Sequence, residues 1–232
     1  MAQEPGAVRF DNWLSYQRNT DDSGQWLYQP RFYVPFELPG GWSFTQRIDL
    51  PLSYTDSAGT QNPSGGWKAG INDWFVEEIF TTPELARDLK AWASLRLVFP
   101  TGGASPFGSQ QYQWAPAVSL VYAMPEHGIT FSPVVRYFMS YHATSSTAQK
   151  VRKLDLYPIV DFRLPGGWSL VTYPENGISY NELTHKWFVP IDLMLIKRLS
   201  KTTEFGFGGA YALLKDNPLY RYVVYSRLTF YF

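Results

Sequence analysis

The sequence predicts an all-β protein: a twelve-stranded antiparallel transmembrane β-barrel. Three observations predict it. Apolar and polar residues alternate with a period of two through most of the chain, which suits strands and cannot build an amphipathic helix. The alternating segments run to about 12–14 residues, beyond the ordinary strand of about 5–6 and long enough for tilted membrane spans. Tight turns and longer polar loops alternate between them, as on the two rims of an outer-membrane barrel.

Composition agrees. Of 232 residues, 18% are aromatic and 17% charged, against about 25% charged in ordinary soluble domains. Apolar content excludes a disordered chain. Zero net charge without a basic run excludes a nucleic-acid partner. The lack of cysteine excludes disulfides, thiolate metal sites and cysteine nucleophiles. No run approaches the roughly 18 apolar residues of a membrane helix. Residues 1–232 read as one domain.

Taken in order, strands are expected over 8–18, 25–38, 42–54, 67–80, 88–100, 112–124, 129–142, 153–164, 168–180, 185–197, 203–214 and 220–232. The last is the clearest. Tyr222, Val224, Ser226, Leu228, Phe230 and Phe232 oppose Arg221, Val223, Tyr225, Arg227, Thr229 and Tyr231. In the eighth, Leu154, Leu156, Val160 and Phe162 oppose Lys153, Asp155, Tyr157 and Asp161. Tight turns are Pro39-Gly40-Gly41, Pro125 to Gly128 and Pro165-Gly166-Gly167; long polar loops run from Asp56 to Gly66 and from Thr101 to Gln111. Twelve strands put both termini on the short-turn, periplasmic rim. Leu38-Pro39-Gly40-Gly41-Trp42-Ser43 and Leu164-Pro165-Gly166-Gly167-Trp168-Ser169 look like one solution to one kind of turn. A single helical turn is expected at Thr82-Pro83-Glu84-Leu85-Ala86-Arg87, with Thr82 as its N-cap.

A soluble, lipocalin-like ligand-binding barrel also alternates, with its apolar face inward. Strand length argues for the membrane. So do the aromatics near strand ends, Trp26, Trp42, Trp67, Trp114, Trp168, Trp187, Tyr220, Tyr222, Phe230 and Phe232, which suit interfacial girdles. Phe232, ending an alternating strand, resembles the signal read by the outer-membrane assembly machinery. Met1-Ala2-Gln3-Glu4-Pro5 lacks a signal peptide and reads as a mature N-terminus after cleavage of one. The expected setting is the Gram-negative outer membrane, with its lipids and small-molecule solutes as partners and a monomer as the assembly.

Leu97-Val98-Phe99-Pro100-Thr101-Gly102, Tyr157-Pro158-Ile159-Val160, Trp187-Phe188-Val189-Pro190-Ile191 and the closing Leu228 to Phe232 carry a further signal. In their order, over about residues 88–232, they resemble the outer-membrane channel family named for the MetA pathway of phenol degradation. That resemblance implies a twelve-stranded barrel passing small molecules by diffusion, with hydrophobic or aromatic solutes as candidates.

On such a barrel the polar parity must face the lumen, because Arg or Lys at mid-depth in hydrocarbon costs about 2–4 kcal/mol. The candidate pore-lining residues are Arg31, Arg47, Asp49, Arg96, Arg136, Asp155, Asp161, Arg163, Asp192 and Arg227. Both signs occur, so pairing across strands is expected. Glu77-Glu78 are expected at a bulge or rim. Gly206, Gly208 and Gly209 are expected to leave lumen space. Pro30, Pro35, Pro51, Pro116, Pro133, Pro158, Pro174 and Pro190 should each cost a bulge or a missing rung, and a wall weakened there would let apolar solutes leave sideways. No cofactor or metal is expected. The alternative activity is an outer-membrane lipid hydrolase using Ser140 and His142, but a Ser-His pair without an orienting partner makes no triad. His127 reads as solvated in a tight turn, and His142 and His185 are expected near the extracellular rim.

Overall fold

The structure is a computed structural model that describes residues 7–214, 216 and 219–232. The Met1–Pro5 segment read as a mature N-terminus lies outside them. Twelve strands close into one antiparallel barrel. They are β1 (Arg9–Arg18), β2 (Gly24–Glu37), β3 (Ser43–Asp49, resuming at Leu52–Thr55) and β4 (Lys68–Ile71, resuming at Trp74–Thr81). Next come β5 (Leu89–Phe99), β6 (Gln111–Met124), β7 (Ile129–Phe131, resuming at Val134–Ala143) and β8 (Arg152–Tyr157, resuming at Val160–Leu164). The last are β9 (Trp168–Thr172, resuming at Ile178–Asn181), β10 (Lys186–Arg198), β11 (Thr203–Leu214) and β12 (Tyr222–Tyr231). Each pairs with the next, and β12 pairs with β1 from Arg9↔Tyr231 to Arg18↔Tyr222. Closure leaves no unpaired edge, which lipid would penalise.

Alternation decides which side chains face in. On β10, Phe188, Pro190, Asp192 and Met194 are buried, whereas Ile191, Leu193 and Leu195 stand outward and exposed. The outward set over all strands is a belt of Leu, Val, Ile and Phe with aromatics toward its margins, the surface a bilayer covers. Inside, Trp13, Phe188, Met194, Ala210, Ala212, Tyr220, Val223 and Tyr225 pack as an apolar cluster on β10, β11, β12 and β1. Tyr220 therefore does not belong to the outer girdle: its ring meets Phe188 edge-on at 4.9 Å.

The two Pro-Gly-Gly turns are the same turn. Gly40 and Gly41 have φ of 76° and 78°, Gly166 and Gly167 71° and 75°, a left-handed pair that side chains with a Cβ avoid. The expected helical turn at Thr82–Arg87 is absent. Thr82 Oγ1 instead accepts the Ala91 amide, and Ala86 bridges to Leu89, so the segment closes as an irregular hairpin. Prolines divide into two groups. Pro51, Pro133, Pro158 and Pro174 fall in gaps between strand segments, and Pro190 sits at a register shift. Pro30, Pro35 and Pro116 keep register with Asn12, Thr45 and Leu95, but on its other side Pro116 falls where the ladder skips from Arg136↔Ala117 to Met139↔Trp114, the missing rung expected there.

Candidate functional site

The inward faces of β2 to β7 build a basic wall. Arg47, Glu77 and Arg96 form one row across adjacent strands, with Arg47 opposite Glu77 and Glu77 opposite Arg96. Glu77 lies neither at a bulge nor at a rim. The period of two runs through it unbroken, so it points inward, 1% exposed, and Glu78 points outward to Gln46 Nε2 at 3.0 Å. Glu77 Oε2 accepts Arg96 Nη2 at 2.8 Å and lies 3.6 Å from Arg47 Nη1. Glu77 Oε1 accepts Ser94 Oγ at 2.7 Å and also Arg136 Nη2. Arg136 is on β7 and reaches Glu77 on β4 across β6 and β5, past the small inward residues Ala115 and Ala117 of β6 and Ser94 of β5. Small side chains thus leave the space that a long one crosses. Phe75 lies under the guanidinium of Arg96 at 4.0 Å and that of Arg47 at 5.1 Å, which suits cation–π contact.

The opposite wall is bent inward. Between Thr172↔Leu193 and Ser179↔Phe188, β9 has two residues more than β10, and the excess folds in as Tyr173–Gly177. Asp192 holds this fold. Its carboxylate accepts the amides of Glu175 at 3.1 Å and Asn176 at 2.7 Å, Asn176 Nδ2 at 3.2 Å and Tyr225 OH at 2.5 Å. Four donors stabilise a buried carboxylate that makes no ion pair among the described residues. The fold carries Glu175 to Arg31, with Nη1–Oε1 at 2.6 Å and Nη2–Oε2 at 2.5 Å. Strands β2 and β9 are five apart round the ring one way and seven the other, so this two-pronged pair spans the lumen. Arg31 is steadied by Asp49 at 3.0 Å and by the Trp13 ring at 4.5 Å. Asp49 is shared with Arg47, 2.6 Å away.

Five of the ten residues singled out in the sequence therefore meet in one level of linked charges: Arg31, Arg47, Asp49, Arg96 and Arg136. The other five stand apart. Asp155 faces the lumen with Lys153 at 2.8 Å and Ser179 at 2.6 Å. Asp192 braces the inward fold. Arg227 lies 3.7 Å from Glu204 and over Trp13 at 5.5 Å. Asp161 is half-buried toward the short-turn rim, and Arg163 is exposed on that rim. Gly206 and Gly208 do not open lumen space: a Cβ on Gly206 would lie 2.0 Å from Met194 Cε, and one on Gly208 2.6 Å from the Tyr225 ring. Gly209 lies on the outward parity, between Leu193 and Val224.

Glu77, Glu175, Trp13 and Phe75 are members of the site that the sequence reading missed. The Glu77 signal was the unbroken alternation, and the Glu175 signal was the turn-rich Tyr173-Pro174-Glu175-Asn176-Gly177. Ser140 Oγ accepts the Val151 amide at 3.0 Å, while the exposed His142 ring lies against Tyr112 at 5.7 Å, so the two form no catalytic pair. Among the described residues no His, Cys, Asp or Glu group is placed to hold a metal.

No family model matches the chain, and no curated protein does. Solved structures do. The COG4313 outer membrane channel from Pseudomonas putida F1 is similar at a TM-score of 0.78 and 13% identity, over 100% of this chain and 97% of that one. The NanC porin is similar at 0.61 and 11%, over 97% and 100%. The β domain of the Bordetella autotransporter BrkA is similar at 0.54 and 14%, over 99% and 100%. At such identities the likeness concerns fold, and one fold serves several activities. The chain has the fold of the outer-membrane β-barrels, shared over its whole length with channels.

Proposed function

We propose that the protein is a channel of the Gram-negative outer membrane, acting as a monomer and passing small solutes by diffusion. The observation that carries the reading is the polar lumen with its paired charges of both signs, inside a barrel of twelve strands. Eight strands leave room only for side chains, whereas twelve leave more. The path is lined by Arg31, Arg47, Asp49, Arg96, Arg136, Asp155, Asp161, Arg163, Asp192 and Arg227, together with Glu77 and Glu175. The Arg31–Glu175 pair crosses this path, and we take that level as its constriction. Balanced charge and inward aromatics such as Tyr33, Phe138 and Tyr157 suit neutral, partly apolar solutes. The family resemblance of Phe99 to Gly102 supports the same reading, as does the full-length likeness to a channel.

The experiment is conductance in planar bilayers with KCl. Arg96→Gln or Arg136→Gln should change conductance or ion preference while the heat-modifiable gel shift of the folded barrel persists. Ester or phospholipid turnover by the purified protein, abolished by Ser140→Ala, would replace the channel with a hydrolase.

A further inference from the structure

A second chamber lies above the crossing, at the long-loop mouth. The β5–β6 loop folds inward there, and the Phe99-Pro100-Thr101-Gly102 motif fixes how. Thr101 Oγ1 donates to the Asn72 carbonyl and accepts the Trp74 amide, each at 3.0 Å. The Gly102 amide donates to Asp73 Oδ1 at 3.1 Å, and Ser109 donates its amide and hydroxyl to Asp73 Oδ2 at 2.8 and 2.6 Å. A Cβ at Gly102 would lie 2.6 Å from the Phe107 carbonyl, so the close approach needs glycine. The loop tip then drops Phe107 onto the inner wall at Gly70, where it is 4% exposed.

The result is an open depression of about 460 Å³, a volume within the usual range of small-molecule sites. Its apolar walls are Leu27, Pro51, Pro106 and Phe107, and its polar lining is Gln25, Gln29, Asn72, Asp73, Ser105 and Ser109. Asn72 Oδ1 is buried without a partner, and the half-buried Gln25 amide lines the opening. Asp73 is the one ionisable residue in the lining, and three donors already hold it. The floor is Gln29, whose Nε2 donates to Asp49 at 2.6 Å and whose Oε1 accepts Arg31 Nη2 at 3.2 Å. The depression therefore opens onto the level of linked charges.

We propose that this vestibule is a binding site for a neutral amphipathic molecule, with an apolar body against Phe107 and an amide or hydroxyl end at Gln25 and Asn72. A charged solute would have to desolvate without meeting a free opposite charge, so the site selects neutral molecules before they reach the neck. The proposal deepens the channel reading and rests on it for the solute's onward path.

The test uses the whole protein in detergent, with benzamide as probe and benzoate and benzylamine as charged comparators, in isothermal titration calorimetry corrected for empty micelles. Benzamide is expected to bind with one-to-one stoichiometry, more tightly than either ion. Phe107→Ala or Gln25→Leu should weaken it roughly tenfold, the loss of one packed face or one hydrogen bond. Gln25→Leu changes a side chain that holds nothing else, so its folding is not at issue. Val118→Ala, on the lipid face, should leave binding unchanged. KCl conductance of the same preparation is measured in parallel. Conductance without benzamide binding, or binding indifferent to Phe107→Ala and Gln25→Leu, overturns the site and leaves the channel standing. Binding with the expected variant pattern but no conductance keeps the site and overturns the channel.

Discussion

Glu77 and Glu78 are adjacent in sequence and opposite in fate, so one chemical change made at each tests the lumen assignment. Glu77→Gln keeps the shape and removes the charge. Three hydrogen bonds from guanidiniums, two from Arg96 and one from Arg136, then lose their charge assistance. A hydrogen bond to a charged group contributes about 1.5–3 kcal/mol against about 1 for a neutral one, so three such changes remove roughly 1.5–6 kcal/mol. Leaving one partner of a buried pair without its counter-charge costs about 3–5 kcal/mol. The two routes overlap at about 3–5 kcal/mol, or roughly a hundredfold to a few thousandfold in the folded-to-unfolded ratio. Glu78→Gln should instead be neutral or stabilising, because it removes a charge from the lipid face and keeps an acceptor for Gln46. The assay is equilibrium urea unfolding in lipid vesicles, followed by tryptophan fluorescence. If Glu77→Gln unfolds with the wild type while Glu78→Gln is badly destabilised, the inside and outside of β4 are interchanged and the network account fails.

Other outcomes follow from the same geometry. Glu175→Gln or Arg31→Gln breaks the cross-lumen pair and should raise single-channel conductance several-fold; an unchanged conductance would place the narrowest level elsewhere. Leu95→Arg and Val160→Arg put a cation in hydrocarbon at a cost of about 2–4 kcal/mol and should reduce the heat-modifiable, folded fraction on gels. Gly208→Val would press against the Leu193 carbonyl and the Tyr225 ring, 2.5 and 2.6 Å from the added Cβ, and should destabilise by about 1–3 kcal/mol in the urea assay.

The strand order and the two faces were legible in the sequence because lipid enforces a period of two along every span. Whatever depended on which residue reaches which was not. Arg136 joins Arg31, Arg47, Asp49 and Arg96 because Ala115 and Ala117 let it reach past β6 to Glu77, a residue far from it in sequence. Tyr220 looked like a girdle aromatic because it precedes a strand, yet its ring completes an interior cluster. Pro174 marked an interruption in β9. That the interruption folds inward depends on Asp192, on the neighbouring strand, receiving the amides of Glu175 and Asn176. Thr82 and Pro83 carry a helix-start pattern, but the segment is too short to beat pairing between β4 and β5.

The interruptions in the wall also divide the barrel mechanically. Those of β3 and β4 lie side by side, joined by the Asn72 amide to the Pro51 carbonyl at 2.9 Å. Those of β7, β8 and β9 form a second group, with the Ser132 amide on the Ile159 carbonyl at 2.9 Å and Thr172 Oγ1 on the Pro158 carbonyl at 2.9 Å. Between these creases stand two continuous panels, one of β5 and β6 and one of β10, β11, β12, β1 and β2. A cylinder creased along two lines flattens more readily than it stretches, so its cross-section changes by folding at the creases while the panels keep their ladders. Amide hydrogen exchange in micelles should proceed first at Leu120, beside the second crease, and last in the middle of β11. A uniform exchange profile round the ring would show that the wall deforms as one elastic sheet.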